Sequence, residues 1–259
     1  MAVGRAVRPD VDVLPDAEAL ADAAAERFVV AAEQAIRESG RFVVALSGGS
    51  TPRRSYERLA REPVVSRIQW SLVHVVWGDE RCVPPNDAES NYRMVREELL
   101  EHVPVPAANI HRIHGEDDPA AAAASYETVM RTLLRTPEGA ATSAPGRRID
   151  LALLGLGDNG HTASIFPESA AVNETMRWVM AESVNASPSW RITLTAPVLN
   201  AAAELLFVVS GKTKANVLAR VLDGPRRPRE LPAQLIAPSS GRLHWLVDAA
   251  AGAELAKSP

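Results

Sequence analysis

The most chemically informative stretch of the sequence is GLGDNGHTASIFP, in which a histidine follows a run of glycines. Gly155, Gly157 and Gly160 spell G-x-G-x-x-G, the pattern of a dinucleotide-binding turn, and His161 comes next. Such a turn needs its third glycine to open a helix, whereas Pro167 stands six residues after the histidine and would stop one early. The stretch therefore predicts a tight loop that aims His161 outward, where an imidazole can act as a general base near neutral pH.

Two other stretches could hold a phosphate group. SGGSTP offers backbone N–H groups and hydroxyls where a strand passes into a helix, which suits an anion site but equally suits a capped tight turn. Its candidate ligands are Ser47, Gly48, Gly49, Ser50 and Thr51. SGKTKA carries Lys212 and Lys214, but Leu206 stands where a P-loop needs a glycine. A lysine at this turn can still meet a phosphate as a point charge, or it can simply be solvated in a first helical turn.

A further polar stretch, WGDERCVPPND, places Asp79, Glu80 and Arg81 directly after an apolar strand. Acids and a base in this position suggest a site for a polar ligand, and a solvated loop with internal ion pairs is the alternative.

The remaining histidines give no sign of a metal site. His74, His111, His114 and His244 fall in predicted strands and are expected to be packing residues. The pair in HRIH has no third ligand nearby, so the sequence predicts neither a bound metal nor a cofactor.

The elements that must position these residues alternate between strand and helix. Apolar runs predict strands at 41–46, 71–77, 109–115, 149–155, 204–211 and 242–248, and two more in RWVMAES and RITLTAPVL. Helices are predicted at 53–60, 92–103, 117–135 and 212–222, followed by an alanine-rich tail helix. Loops are predicted at 78–91, 136–148 and 223–232.

This alternation predicts βαβ units, an α/β fold with a mainly parallel sheet, and one domain spanning residues 1–259. Ligands of such sheets lie beyond the carboxyl ends of the strands. The four polar loops all follow apolar strands, so we expect them to converge on one rim.

Composition narrows the class of protein. The chain has 259 residues, a formal net charge of −4 and one cysteine, Cys82. The negative charge argues against a broad surface for nucleic acid or anionic membrane, although a pocket for a small anion needs only a few cations. No apolar run approaches the roughly 18 residues of a membrane span, and the N-terminus has no apolar signal core. These features predict a cytoplasmic protein.

Taken together, the motifs resemble the 6-phosphogluconolactonase family, which is part of a wider group containing glucosamine-6-phosphate isomerase/deaminase. The stretches that carry the resemblance are LSGGSTP, WGDERCVPPNDAESNY, LLGLGDNGHTASIFP, RITLTAPVLNAA, VVSGKTKANVL and LPAQLI. The resemblance implies a three-layer αβα, Rossmann-like fold without a bound nucleotide.

The same resemblance implies roles for individual residues. The Ser47–Thr51 turn and Lys214 would hold a sugar phosphate, His161 would activate water, and Arg81 would bind substrate or stabilise charge. Asp79 matches an aspartate that handles protons in the deaminase relatives, and Arg191 is a further candidate anion contact. Many relatives carry Asp directly before the Gly-His pair, where this chain has Asn159 after Asp158.

The expected activity is hydrolysis of 6-phospho-D-glucono-1,5-lactone in the oxidative pentose phosphate pathway, on a phosphorylated sugar lactone and without a cofactor. A sugar-phosphate isomerase or deaminase is an alternative, but those relatives carry a glutamate five residues after the histidine, where this chain has Phe166. A non-enzymatic sugar-phosphate sensor is the other alternative; the roughly 40 residues before the first predicted strand are acidic and alanine-rich, unlike a DNA-binding helix-turn-helix.

Overall fold

Ten strands make two sheets in the computed structural model, which describes residues 10–135, 148–184, 190–238 and 240–256. In chain order the strands are Asp10–Leu14 (β1), Phe42–Leu46 (β2), Val73–Trp77 (β3), Asp79–Arg81 (β4), Ile110–His111 (β5), Leu151–Leu154 (β6), Val179–Ser183 (β7), Trp190–Leu194 (β8), Glu204–Val209 (β9) and Arg242–Asp248 (β10). Seven of them form a sheet in the order β1-β10-β9-β6-β2-β3-β5, in which every neighbouring pair is parallel. The predicted α/β class and parallel sheet are confirmed.

Helices flank this sheet. They are Ala17–Ser39 (α1), Ser50–Leu59 (α2), Asn91–Val95 (α3), Pro119–Leu133 (α4), Ala196–Asn200 (α5) and Ala215–Leu222 (α6). A π-helical turn at Arg96–Leu100 continues α3, and 3₁₀ turns occupy Lys212–Lys214, Pro232–Leu235 and Ala251–Glu254 among other short stretches. In the described ranges, no helix combines the length and apolar character that a membrane crossing requires.

The central strands are buried from end to end. Every residue of β2, β6 and β9 is buried, as expected for parallel strands covered on both faces. The hydroxyls of two buried tyrosines reach the rim from below: Tyr56 bonds to both backbone groups of Ser47, and Tyr126 bonds to both backbone groups of Trp77. The core therefore fixes the ends of β2 and β3, from which two of the polar loops start.

Several predicted boundaries are wrong for physical reasons. The stretch 78–91 contains β4, because this short charged segment pairs antiparallel with the edge of β8. The strand predicted at 109–115 is only two residues long, and the one in RITLTAPVL gives way to α5 at Ala196. The described part of the alanine-rich tail, up to residue 256, forms a single 3₁₀ turn rather than a longer helix.

Two elements precede the first predicted strand. β1 pairs with β10 from the far end of the chain, and α1 begins at a cap in which Asp16 accepts bonds from the N–H groups of Glu18 and Ala19. Most of the loop predicted at 136–148 lies outside the described residues.

The histidines away from the loop are mostly packed, as predicted. His74 and His111 stack at the edge of the sheet, and His244 lies 2.8 Å from Asp12 Oδ2. His114 is the exception, because its side chain is 56% exposed. No three metal-ligating side chains gather within the described ranges.

Candidate active site

The four polar loops meet at the carboxyl edge of the sheet around a cavity of about 310 Å³. Each loop follows a different strand, namely β2, β3, β6 or β9, and these strands are neighbours in the sheet. The residues that line the cavity include Ser47–Thr51, Asp79, Arg81, Asn91, Asp158, His161 and Lys214. Of the residues singled out in the sequence as site candidates, Glu80, Arg191 and Lys212 are missing from this lining.

His161 is held by its own loop. Asn159 Oδ1 lies 2.6 Å from Nδ1 of the imidazole and accepts a second bond from the His161 backbone N–H at 3.2 Å. An amide oxygen only accepts, so Nδ1 carries the proton and Nε2 keeps the lone pair. The loop closes beneath the ring, since the Gly157 N–H donates to the His161 carbonyl. This is the tautomer that a general base acting through Nε2 requires.

The glycines of this loop make room for the histidine. A Cβ atom built on Gly157 would lie 2.0 Å from ring atoms of His161, which no side chain can tolerate. Gly160 has a φ of +83°, in the left-handed region that glycine adopts at little cost. The G-x-G-x-x-G pattern therefore serves the placement of His161 and not a dinucleotide.

The environment of His161 keeps it neutral. Burial lowers the pKa of the imidazole below its ordinary value of 6.5, which the nearby Asp79 carboxylate opposes. The ring of Phe166 packs against it with centroids 4.4 Å apart, and this contact excludes water from one side. A neutral imidazole at pH 7 can accept a proton.

Asp79 and Arg81 reach the cavity because they share one face of β4, while Glu80 points to the opposite face. Asp79 accepts a bond from Ser164 Oγ at 2.7 Å. Arg81 Nη1 donates to Asn91 Oδ1 at 2.6 Å and to the Glu89 carbonyl at 2.8 Å, which fixes the guanidinium. The stretch is therefore ordered by hydrogen bonds and lines the cavity through Asp79 and Arg81.

Glu80 anchors the chain behind this site. It is 2% exposed, and its carboxylate accepts bonds from the backbone N–H groups of Arg81, Asn91 and Tyr92 and from Ser90 Oγ. Burial raises the pKa of Glu80 and these donors oppose that rise. The clamp holds the start of α3 against β4, and so it places Asn91.

Asn91 is a site residue that the sequence analysis missed. Its amide bridges Arg81 and Asp79, donating through Nδ2 to the Asp79 carbonyl at 2.9 Å. It also packs against the first phosphate candidate loop, because a Cβ atom on Gly48 would lie 1.7 Å from Asn91 Oδ1. The one signal in the sequence is Ser90, which caps α3 and puts Asn91 at the first helical position.

The turn at residues 47–51 has the features of an anion site. Gly49, with a φ of +106°, leads into α2, so the first N–H groups of this helix face the cavity edge. The Ser47 hydroxyl is buried and has no hydrogen-bond partner in the described part of the chain. The turn can therefore offer both backbone and hydroxyl donors to a bound oxyanion.

Lys214 also lines the cavity, at the end of the 3₁₀ turn that follows β9. Asp248 accepts bonds from Ser210 Oγ and the Gly211 N–H and so braces this turn. Lys214 Nζ lies 2.5 Å from Asp158 Oδ1. Lys212 does not line the cavity.

Arg191 is not among the residues that line the cavity, but it neighbours Arg81. It is opposite Arg81 in the β4–β8 register and is only 8% exposed. Burial, and then the positive charge of Arg81, lowers the pKa of Arg191. Because directly paired residues share one face of a sheet, Arg191 lies on the same face as Arg81, and its positive charge also lowers the pKa of His161.

Comparison with known proteins places these features in a family. The profile of glucosamine-6-phosphate isomerases/6-phosphogluconolactonases matches residues 15–245. The 6-phosphogluconolactonase of Nostoc sp. is 40% identical over 96% of this chain and 99% of its own length, and that of Haemophilus influenzae is 34% identical over 92% and 96%.

Solved structures agree with this placement. The 6-phosphogluconolactonase from Trypanosoma cruzi superposes with a TM-score of 0.84 at 28% identity, over 98% of this chain and 99% of that one. A monomeric glucosamine-6-phosphate deaminase has a TM-score of 0.76 at 20% identity, over 95% of this chain and 99% of that one, and so shares the fold.

Proposed function

The chain belongs to the family of glucosamine-6-phosphate isomerases and 6-phosphogluconolactonases, and on that premise we propose that it hydrolyses 6-phospho-D-glucono-1,5-lactone to 6-phospho-D-gluconate. One observation carries the choice: a neutral histidine with a free Nε2 lone pair shares a cavity with two candidate phosphate contacts, the 47–51 turn and Lys214. A phosphorylated lactone needs both, a base at one end and an anion site at the other.

His161 carries the proton in this mechanism. Its Nε2 accepts a proton from water as the water oxygen bonds to C1 of the lactone, and the carbonyl electrons move to oxygen. When the tetrahedral intermediate collapses, the bond between C1 and the ring oxygen breaks. The imidazolium returns its proton to that oxygen, which becomes the hydroxyl on C5. The acid formed at C1 ionises in neutral solution.

Charge stabilisation falls to Arg81. Its guanidinium lines the cavity and is oriented by Asn91 and the Glu89 carbonyl, so it is prepared for the oxyanion before the water attacks. Asp79 is held by Ser164 and Asn91 near the histidine, and its carboxylate favours the imidazolium that forms during attack. His161, Arg81 and Asp79 all line the same cavity.

The phosphate group binds at the other end of the cavity. Backbone N–H groups at the start of α2 and the hydroxyls of Ser47, Ser50 and Thr51 surround one side of it, and the ammonium of Lys214 meets the other. Arg191, beside Arg81 in the β4–β8 register, adds positive charge and is a further candidate contact for the anion.

The deaminase alternative is disfavoured by Phe166. This side chain lies against the His161 ring, at the position where the deaminase relatives carry a glutamate. A phenyl ring can neither accept nor donate a proton, and ring opening followed by amine departure needs proton transfers at separate atoms.

A direct assay tests the proposal. Acid release from freshly prepared lactone should exceed the spontaneous rate by far, with a turnover of at least about 1 s⁻¹, and ammonia release from glucosamine 6-phosphate should stay at background. Ammonia release at such a rate would reassign the protein as a deaminase. Binding of the lactone without turnover would point to a sensor.

The cellular setting and the domain extent follow as part of the same proposal. A phosphorylated, anionic substrate and a single cysteine support a cytoplasmic enzyme, and the negative net charge supports a small-molecule partner rather than nucleic acid. The match over residues 15–245 supports treating residues 1–259 as one domain.

A further inference from the structure

An ion pair joins two of the loops that line the cavity. Asp158 belongs to the loop after β6, Lys214 belongs to the turn after β9, and their charged atoms lie 2.5 Å apart. Both residues line the cavity. The lysine assigned above to the substrate's phosphate is thus already paired with a carboxylate of the protein.

The exposure of the two partners shows which of them can leave. The Asp158 side chain is 79% exposed, whereas that of Lys214 is 23% exposed. Because water solvates so exposed a carboxylate well, breaking its ion pair costs little free energy. Its neighbour Asn159, by contrast, is tied to His161 by two hydrogen bonds. The Asp158 side chain can therefore rotate into solvent without disturbing the group that orients the base.

We propose that Asp158 is an internal competitor for the phosphate group: it pairs with Lys214 in the empty site, and the substrate must displace it to bind. The proposal rests on the phosphate role of Lys214 in the proposed function. It makes Asp158 a residue that sets affinity for the anion, rather than one that takes part in the chemistry.

Two effects of Asp158 then oppose binding of the substrate. The pair with Lys214 must be broken, and the carboxylate remains close enough to repel a dianion at the same end of the cavity. A singly charged anion is attracted to Lys214 about half as strongly as a dianion. It therefore gains less binding free energy when it displaces Asp158. The preference for doubly charged phosphate groups therefore comes from Lys214, whereas Asp158 lowers the affinity for every anion that must displace it.

The direct test is Asp158→Asn, which keeps the shape and removes the charge. Titration calorimetry with inorganic phosphate should show tighter binding, by roughly 3- to 10-fold, and KM for the lactone should fall by a similar factor. Asp158→Glu, which keeps the charge, should stay near the wild type. Glu26→Gln is the matched control, because it removes an equal charge from an exposed pair with Arg67 outside the cavity.

A double variant separates displacement from a general charge effect. With Lys214→Ala in place, adding Asp158→Asn should tighten phosphate binding much less than it does in the wild type, since there is no longer a pair to break. If Asp158→Asn weakens phosphate binding, the carboxylate positions the lysine and the proposal is wrong. Unchanged binding, or a lower kcat without tighter binding, would also overturn it.

These measurements also keep this proposal distinct from the proposed function. Phosphate binding is measured without any lactone, so tighter binding in Asp158→Asn would support the competitor role even if the wild type failed to hydrolyse the lactone. Failure of hydrolysis alone would overturn only the proposed activity.

Discussion

The amide oxygen of Asn159 lies 2.6 Å from Nδ1 of His161, so a neutral group, and not a carboxylate, orients the proposed catalytic base. A neutral partner fixes the tautomer but adds little stability to the imidazolium. Burial lowers the pKa of His161, and no carboxylate at Nδ1 is present among the described contacts to oppose that effect. Activity that depends on the neutral ring should persist at pH 7 and fall only as the pH drops through this lowered pKa.

Asn159→Asp should move that acidic limb to higher pH. The new carboxylate favours the imidazolium and raises the pKa of His161, by about one to three pH units for a charge at this distance. The profile of kcat/KM against pH measures the shift. Asn173→Asp, which adds the same charge at an exposed position outside the cavity, should leave the profile in place. An unchanged limb in Asn159→Asp would mean that His161 is not the titrating base.

His161→Ala should lower kcat on the lactone by about 10²–10⁴-fold, the usual contribution of a positioned general base. The fold should survive, because the ring lies on a rim loop above the sheet. Far-ultraviolet circular dichroism checks the fold and acid release checks the rate. A folded variant with near wild-type turnover would rule out His161 as the base.

Gly157→Ala should damage the site while leaving the sheet intact. The added methyl group would stand 2.0 Å from the His161 ring, so the imidazole must move, and misplacement by about 1 Å costs on the order of 10²-fold in rate. Gly155→Ala is the control in the same loop, because a Cβ atom there meets nothing within 4 Å. Equal losses in the two variants would contradict the steric explanation.

Lys214→Ala should weaken binding of the phosphorylated lactone by about 10- to 150-fold, which is the loss of one charge-assisted hydrogen bond. Most of the effect should appear in KM. Unphosphorylated gluconolactone should be a poor substrate for both proteins, and Lys212→Ala should change KM less because Lys212 does not line the cavity. A loss that is equal for both lactones would argue against a phosphate role.

Asp150 makes the stability of the fold depend on pH. Burial raises the pKa of this carboxyl to about 6, although it accepts a bond from the Val43 N–H at 2.7 Å. The folded state holds the proton more tightly than the unfolded state. The free energy of unfolding should therefore fall as the pH rises from about 4 to about 6, by up to about 3 kcal/mol.

Asp150→Asn should remove this dependence, since the amide oxygen can still accept the bond from Val43. Urea denaturation should show the variant to be more stable than the wild type at pH 8, with the difference vanishing near pH 4. Asp117→Asn, at an exposed position, is the control. A variant less stable than the wild type at pH 8 would contradict the assignment.

The convergence of the four loops could be predicted from the sequence because it follows from topology alone. Apolar runs mark the strands, and parallel strands place their carboxyl ends at one edge. His161, Asp79 and Lys214 therefore meet although they are distant in the chain. The shape of the loop around His161 was also predictable, since Pro167 excludes the helix that a dinucleotide site needs.

Other features depend on contacts between distant residues that leave no local pattern. β4 consists of three charged residues with low strand propensity and forms only because β8 offers an edge. β1 needs a partner, β10, from the end of the chain. Asn91 follows an ordinary helix cap, and only the folded chain shows that it bridges Asp79 and Arg81. The sequence likewise cannot show that Arg191 lies opposite Arg81 in the β4–β8 register, because this pairing joins residues far apart in the chain.

The close contact between Gly48 and Asn91 means that the residue types at these two positions cannot vary independently. Any side chain at residue 48 would collide with the Asn91 amide, which also holds Arg81. A library that randomises the phosphate turn alone would therefore consist mostly of members that also lose the oriented guanidinium. Among homologues, a larger residue at position 48 should occur together with a smaller one at position 91. Redesign of this turn for a different anion accordingly starts at residue 91.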